Sequence, residues 1–167
     1  MKFLLAIALL VSLHAHAADP LVDFEQLIKK SSTVMDGRST VYFAPAIKKW
    51  SRRFESVRNV KYDVRKTDSL VSPFVGEVHF LAITLRTKLF ELKSEAETAI
   101  EHDPSAPPLM QDVKLRYAWR TDRWEFTGGQ QIRWFPKKGE TDMKRTIDIS
   151  LEDLAKPDAP LAVWLPK

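Results

Sequence analysis

Val113-Lys114-Leu115-Arg116-Tyr117-Ala118-Trp119-Arg120-Thr121-Asp122-Arg123-Trp124-Glu125-Phe126 alternates apolar and charged residues on both sides of a short polar pair. Period-two alternation is what a strand with one buried face requires, because successive side chains leave a β-strand on opposite sides. Val113, Leu115, Tyr117 and Trp119 then point inward, while Lys114, Arg116 and Arg120 point outward. A tight turn at Thr121-Asp122 reverses the chain, and Trp124 and Phe126 rejoin the aromatic side. The stretch predicts an antiparallel hairpin, and its aromatic face needs a cover.

Further strands flank it. Val60, Tyr62 and Val64 share one side of Asn59 to Arg65. From about Glu77 to Phe90 the more apolar side is Leu81, Ile83, Leu85 and Leu89, a side that also carries His79. Pairing Tyr62 with Leu81 and Val60 with Ile83 joins the two apolar sides. Gly128-Gly129 predicts a bulge or bend before Ile132 and Trp134, and Met143 to Ile149 is one more strand. The cover comes from helices. Asp23 with Gln26 three residues on reads as a capping box ahead of the stripe Phe24, Leu27 and Ile28. Pro45 reads as the first turn of a second helix, with Ile47, Trp50 and Phe54 on one face. Ser94 to Asp103 reads as a short acidic helix capped by Ser94 with Glu97, followed by a stiff loop through Pro104, Pro107 and Pro108. Ser150 starts a brief helix, and Leu161-Ala162-Val163-Trp164-Leu165 is expected to pack down on the domain.

These elements predict an α+β fold in which N-terminal helices pack on a curved antiparallel sheet of about four to five strands. That order resembles cystatin-like and nuclear-transport-factor-2-like rolls. A closed, lipocalin-like barrel would need more strands than the pattern supplies. A second resemblance lies in Lys66-Thr67-Asp68-Ser69-Leu70-Val71-Ser72-Pro73-Phe74-Val75-Gly76. It is similar to a Lys-Thr-x-Ser-Leu-Val-Ser-Pro-aromatic-x-Gly stretch of a family of uncharacterised secreted bacterial proteins, which implies a compartment and a fold but no reaction. Read from its residues alone, the segment is a hairpin connection. Thr67, Asp68 and Ser69 can bond neighbouring backbone, Pro73 fixes φ, and Gly76 permits a bend.

The first residues carry an address. Lys2, an apolar run from Phe3 through Leu13 and the small-x-small sequence Ala15-His16-Ala17 read as a secretory signal peptide, residues 1–17. The run is short of the roughly 20 residues that span a bilayer, and Asp19-Pro20 stops it. Cleavage after Ala17 leaves a single α+β domain, residues 18–167, with His79 and His102 as its histidines and no transmembrane segment. With no cysteine there is no lipid attachment at the cleavage point, no disulfide and no thiolate metal site. Asn59, followed by Val60-Lys61, is no glycosylation acceptor. The expected compartment is the bacterial periplasm or the exterior.

The 167 residues include 26 Lys plus Arg against 22 Asp plus Glu, and 44% are hydrophobic, which excludes a disordered or multi-span membrane chain. Nucleotide-binding glycine loops, a nucleophile-elbow serine, a calcium loop and a histidine metal pair are all absent as motifs, so no cofactor or metal is expected. Two candidate sites remain. One is a cavity on the aromatic face, with Tyr62, His79, Tyr117, Trp119 and Trp124, where His79 beside Glu77 could act as a base and the rings could hold an apolar molecule or a sugar. The same rings could equally be core beneath the helices. The other is a basic outer face, Lys61, Arg65, Lys114, Arg116 and Arg120, extended by Lys48, Lys49, Arg52, Arg53 and Lys137-Lys138. It could meet a protein or an anionic envelope component, though not nucleic acid in that compartment. The function expected is a secreted, non-catalytic binding or interaction module. The alternative is a small-cavity protein that binds or transforms an apolar molecule.

Overall fold

The computed structural model describes residues 19–135, 143–156 and 159–166. The expected signal peptide and Lys137-Lys138 lie outside them. The fold is α+β, an open six-stranded antiparallel sheet in the order β1-β2-β3-β4-β5-β6, with helices. The strands are β1 (Ser39–Ala44), β2 (Lys49–Lys66), β3 (Phe74–Arg86), β4 (Leu109–Arg120), β5 (Arg123–Phe135) and β6 (Met143–Ile149). Helix α1 (Pro20–Met35) precedes them, α2 (Lys93–Thr98) lies in the β3–β4 connection, and α3 (Leu151–Ala155) and a 3-10 turn (Pro160–Trp164) follow.

Helix α1 begins four residues earlier than the Asp23 box predicts. The Asp19 side chain accepts from the Leu21 backbone N–H at 2.9 Å, and Pro20 occupies the first turn, where its missing N–H costs nothing. Phe24, Ile28, Ser31 and Met35 recur at three- and four-residue spacing and are buried against the sheet. The expected second helix is a strand hairpin instead, so one N-terminal helix and six strands replace several helices and four to five strands. Trp50 and Phe54 are four residues apart, a spacing that fits one face of a helix and one side of a strand equally. Trp50 pairs with Phe43 across the β1–β2 turn, their ring centroids 4.8 Å apart, and Ile47 is exposed in the turn itself.

The sheet has a helix-bearing face and an outer face. Val57, Val78, Phe80, Ala82, Val113, Leu115, Tyr117, Trp119, Trp124 and Ile149 form the buried face, closed by Phe24, Ile28 and Met35 of α1 and by Leu154, Leu161 and Trp164 of the C-terminal tail. Phe80 and Trp164 stack at 4.3 Å, the Trp164 indole N–H donates to Met35 Sδ, and the Tyr117 hydroxyl donates to the Trp164 carbonyl at 3.0 Å. The tail therefore packs down as its apolar composition predicts. The register of β2 on β3 differs from the prediction: Tyr62 pairs with Val78 and Arg58 with Leu81. A bulge between Arg58 and Lys61 inserts one residue, and Asn59 adopts a left-handed φ of 55° there. Asparagine tolerates that region better than most residues.

A second bulge falls at Gly128, where φ is 144°, and shifts the β4–β5 register between Arg116 and Tyr117. The hairpin turn itself carries a cost. Thr121 (φ 48°) and Asp122 (φ 59°) are both left-handed between the paired residues Arg120 and Arg123, the geometry for which Asn-Gly is preferred. Replacing Thr121-Asp122 by Asn-Gly is expected to stabilise the protein by about 1 kcal/mol, read as a higher urea midpoint with unchanged slope. A lower midpoint would mean that the Thr121 or Asp122 side chain itself holds the turn.

Candidate binding groove

The structure divides the five cavity candidates. Tyr117, Trp119 and Trp124 are on the helix-bearing face and 1%, 5% and 4% exposed. Phe24 fills the space in front of them, its ring 5.4 Å from Tyr117 and 4.6 Å from Trp124, so the aromatic cluster is mostly core. Burial pushes the Tyr117 hydroxyl far above the ordinary tyrosine range, and it stays a neutral donor. Tyr62 is at the margin of the same face, 45% exposed, and its hydroxyl donates to Glu25 Oε1 at 2.8 Å, which raises its pKa. His79 is on the other face. It pairs directly with Lys61 and Lys114 across the sheet, is exposed, and lies 3.9 Å from Asp112 Oδ1. Strand β3 is apolar on both sides, and the side buried under α1 is Val78, Phe80 and Ala82 rather than Leu81, Ile83 and Leu85. His79 with Tyr62 and Tyr117 therefore cannot line one cavity.

What the fold does form is an open groove of about 620 Å³ between α1, the β4–β5 hairpin and the C-terminal tail. Trp119, Trp124 and Phe126 lie along its floor, and Leu27, Val163 and Leu165 along its walls. The tail is fixed to the helix by the Ser31 hydroxyl, which donates to the Val163 carbonyl at 2.9 Å. The Trp124 indole N–H is engaged with the Pro20 carbonyl at 2.9 Å, and with Trp119 and Trp124 nearly buried the floor ring most open to the groove is that of half-buried Phe126. The rim carries charges of both signs: Asp23, Asp122 and Glu125 beside Lys30 and Arg123, with Arg123 donating to Glu125 at 3.3 Å. Two of the predicted residues, Trp119 and Trp124, thus belong to the groove, while its walls and rim escaped the sequence reading. The signal for them was the apolar tail, read as packing alone.

Neither a family model, a curated protein nor a solved structure matches this chain. The groove and the faces around it have to be read from their own chemistry. Among the described residues no three His, Asp or Glu side chains gather as a metal site, and no helix is long and apolar enough to cross a membrane. Lys61, Arg65, Lys114, Arg116 and Arg120 are all exposed on the outer face, as the alternation predicts. Acidic partners divide that face: Arg65 meets Asp63 at 2.9 Å, Lys114 meets Glu77 at 2.9 Å and Arg120 meets Glu125 at 3.7 Å. Two of the residues expected to extend it, Arg52 and Arg53, are engaged elsewhere. Arg52 donates to the carbonyls of Glu97 and Ala99 in and after α2, and Arg53 stacks over Tyr42. His102 is exposed in the loop before β4. Beside it the Ser105 hydroxyl and N–H hold the Asp103 carboxyl below its usual range.

One further ionisable group is buried that alternation along β2 does not announce. Glu55 of β2 is 3% exposed, its Oε2 is 3.8 Å from Arg38 Nε, and that oxygen accepts no hydrogen bond. Burial pushes its carboxyl above the ordinary range, against the pull of Arg38 and Arg53. A carboxyl with a raised folded pKa binds its proton more readily folded than unfolded. Stability from this group therefore falls as pH rises from the unfolded value through the folded one. Glu55→Gln is accordingly expected to be more stable than the parent near pH 7, an advantage that disappears near pH 4, with urea midpoints at both pH values as the check. A parent that is more stable at pH 7 would show that the Arg38 pairing outweighs the burial.

Proposed function

We propose that this protein is a secreted, non-catalytic binding module of the bacterial envelope that holds an extended segment of another polypeptide in the groove between α1, the β4–β5 hairpin and the tail. The observation that carries this reading is the groove's composition: aromatic floor, aliphatic walls and a rim of unlike charges. A small apolar ligand binds best where most of its surface is enclosed, whereas a peptide brings apolar side chains, backbone and charges to an open trough. The alternative, a small-cavity protein acting on an apolar molecule, would need polar groups at an enclosed site; Tyr117 is engaged in the core and His79 faces outward. A helix followed by an antiparallel meander supports a cystatin-like or nuclear-transport-factor-2-like roll. The signal-peptide pattern supports the compartment.

The test is selection of binding peptides from a random displayed library, followed by titration of the enriched peptides against tryptophan fluorescence, since Trp119 and Trp124 lie under the groove. Lys30→Glu and Gln26→Glu, both at exposed positions of α1 on the rim of the groove, are expected to weaken those peptides at least tenfold without changing the thermal midpoint by more than a few degrees. Enriched peptides that bind both variants as they bind the parent would place binding elsewhere, and an unenriched library would sink the reading.

A further inference from the structure

The open sheet has two edges, β1 and β6, and their sequences differ in kind. Strand β6 sets Lys144, Arg145 and Asp148 along its length, the charges by which natural sheets discourage further pairing. Strand β1 is Ser-Thr-Val-Tyr-Phe-Ala, with no charge, no proline and no bulge against β2. The backbone of β2 identifies which β1 groups are left over. The N–H and C=O of Arg52 are spent on Thr87 and those of Trp50 on Phe90, on the side away from β1. Residues opposite one another in an antiparallel pair turn these groups either toward each other or both away. Val41 and Phe43, opposite Arg52 and Trp50, therefore direct their N–H and C=O outward, and Ser39 follows by alternation. Among the described residues nothing bonds the outward groups of Ser39, Val41 and Phe43.

The side chains over this edge select its partner. Two guanidiniums of β2 reach across β1, one on each face. Arg53 lies over the Tyr42 ring, 3.4 Å from its centroid, on the helix-bearing face. Arg52 donates to Ser39 Oγ and to the Glu97 and Ala99 carbonyls on the outer face. Among the described residues neither forms an ion pair, because the acids nearby are taken: Glu55 meets Arg38, Glu91 meets Lys49 and Glu97 meets Lys93. Lys48, exposed in the β1–β2 turn, likewise meets no described carboxylate. A second copy of the chain paired through β1 would bring the same cations to the seam from both sides, and like charges facing one another disfavour it. A strand that carries carboxylates meets both the backbone groups and the cations.

We infer that β1 accepts a further strand, an acidic extended segment of another polypeptide, whose backbone bonds Ser39, Val41 and Phe43 and whose carboxylates meet Arg52 or Arg53. Strand addition of this kind draws affinity from the main chain and selectivity from alternate side chains. The site is distinct from the groove, since β2 and β3 separate β1 from the β4–β5 hairpin. The probe is an end-blocked peptide of alternating valine and glutamate, with a valine–lysine peptide of equal length as its control. Amide exchange followed by NMR is expected to slow roughly tenfold at Ser39, Val41 and Phe43 when the glutamate peptide is added. Thr40 and Tyr42, whose N–H groups face β2, are expected to stay unchanged. The lysine peptide is expected to bind roughly tenfold more weakly, and Arg53→Gln to narrow that difference. Val41→Pro removes an outward donor at a position where an edge strand tolerates proline, and is expected to weaken the glutamate peptide roughly tenfold. Equal binding of the two peptides, or binding without protection at Ser39, Val41 and Phe43, would overturn the inference. Protection of those amides in the free protein as its concentration rises would overturn it in favour of a second copy. Loss of the glutamate peptide on Lys30→Glu would overturn it in favour of the groove; the two sites respond to different variants, so failure of one reading leaves the other standing.

Discussion

Trp164→Ala is expected to destabilise the protein by about 3–5 kcal/mol, the range for removing a fully buried aromatic side chain from a packed core. Trp164 has no exposed surface. Its ring stacks on Phe80 at 4.3 Å, and its N–H donates to Met35 Sδ at 3.2 Å. The substitution removes these two contacts and leaves the tail held between α1 and the sheet by Leu161 and the Ser31–Val163 hydrogen bond. For a domain whose total stability is of the order of 5–15 kcal/mol, that loss is a large part of the whole. The groove should be lost first, because Val163 and Leu165 wall it and flank Trp164 in sequence. Trp164→Phe keeps the stack and gives up the N–H donor, so it is expected to retain most of the stability. Urea denaturation of the two variants checks the order; an alanine variant within 1 kcal/mol of the parent would mean the tail contributes little.

Gly76→Val is expected to cost 3 kcal/mol or more, roughly, and Gly76→Ala about 1–3 kcal/mol, by overpacking rather than by backbone strain. Gly76 is on the helix-bearing face of β3, opposite Tyr117. A Cβ added there would stand 2.6 and 2.7 Å from the edge atoms of the Phe24 ring. Phe24 is fully buried and touches the rings of Tyr62, Tyr117 and Trp124, which leaves it no free direction in which to turn. The diagnostic is a double-mutant cycle. Phe24→Leu alone should destabilise, but combined with Gly76→Ala its cost should be clearly smaller, because the shorter side chain vacates the space the methyl needs. Additive costs would mean that the methyl is accommodated by movement of β3 instead.

The Gly76 position shows where the sequence was legible and where it was not. A glycine after Pro73 reads as a bend, and nothing local says that a helix residue 52 positions earlier rests on it. Strands with one polar and one apolar side, β4 and the second half of β2, declared both their existence and their buried face. In β3 the two sides are nearly equally apolar, so burial was decided by which side α1 covers, and His79 went with the uncovered one. The β1–β2 hairpin hid behind Trp50 and Phe54, whose spacing suits both periods, and the register of β2 depended on a bulge that alternation cannot reveal. For the site, the aromatic floor was visible as composition. Its walls were not, since two of the three, Val163 and Leu165, come from the tail, and tertiary contact alone brings the tail to α1.

The two ends of the described chain meet: Ser31 of the first helix bonds Val163, and Met35 bonds Trp164 across 129 residues. A chain delivered from its N-terminus therefore carries α1 and a six-stranded meander, each strand beside its predecessor, before the segment that closes the core has emerged. Until residue 164 is free, Phe80 and Met35 face an empty slot. Closure of this core therefore waits on residue 164, which follows both α1 and the six strands that it completes.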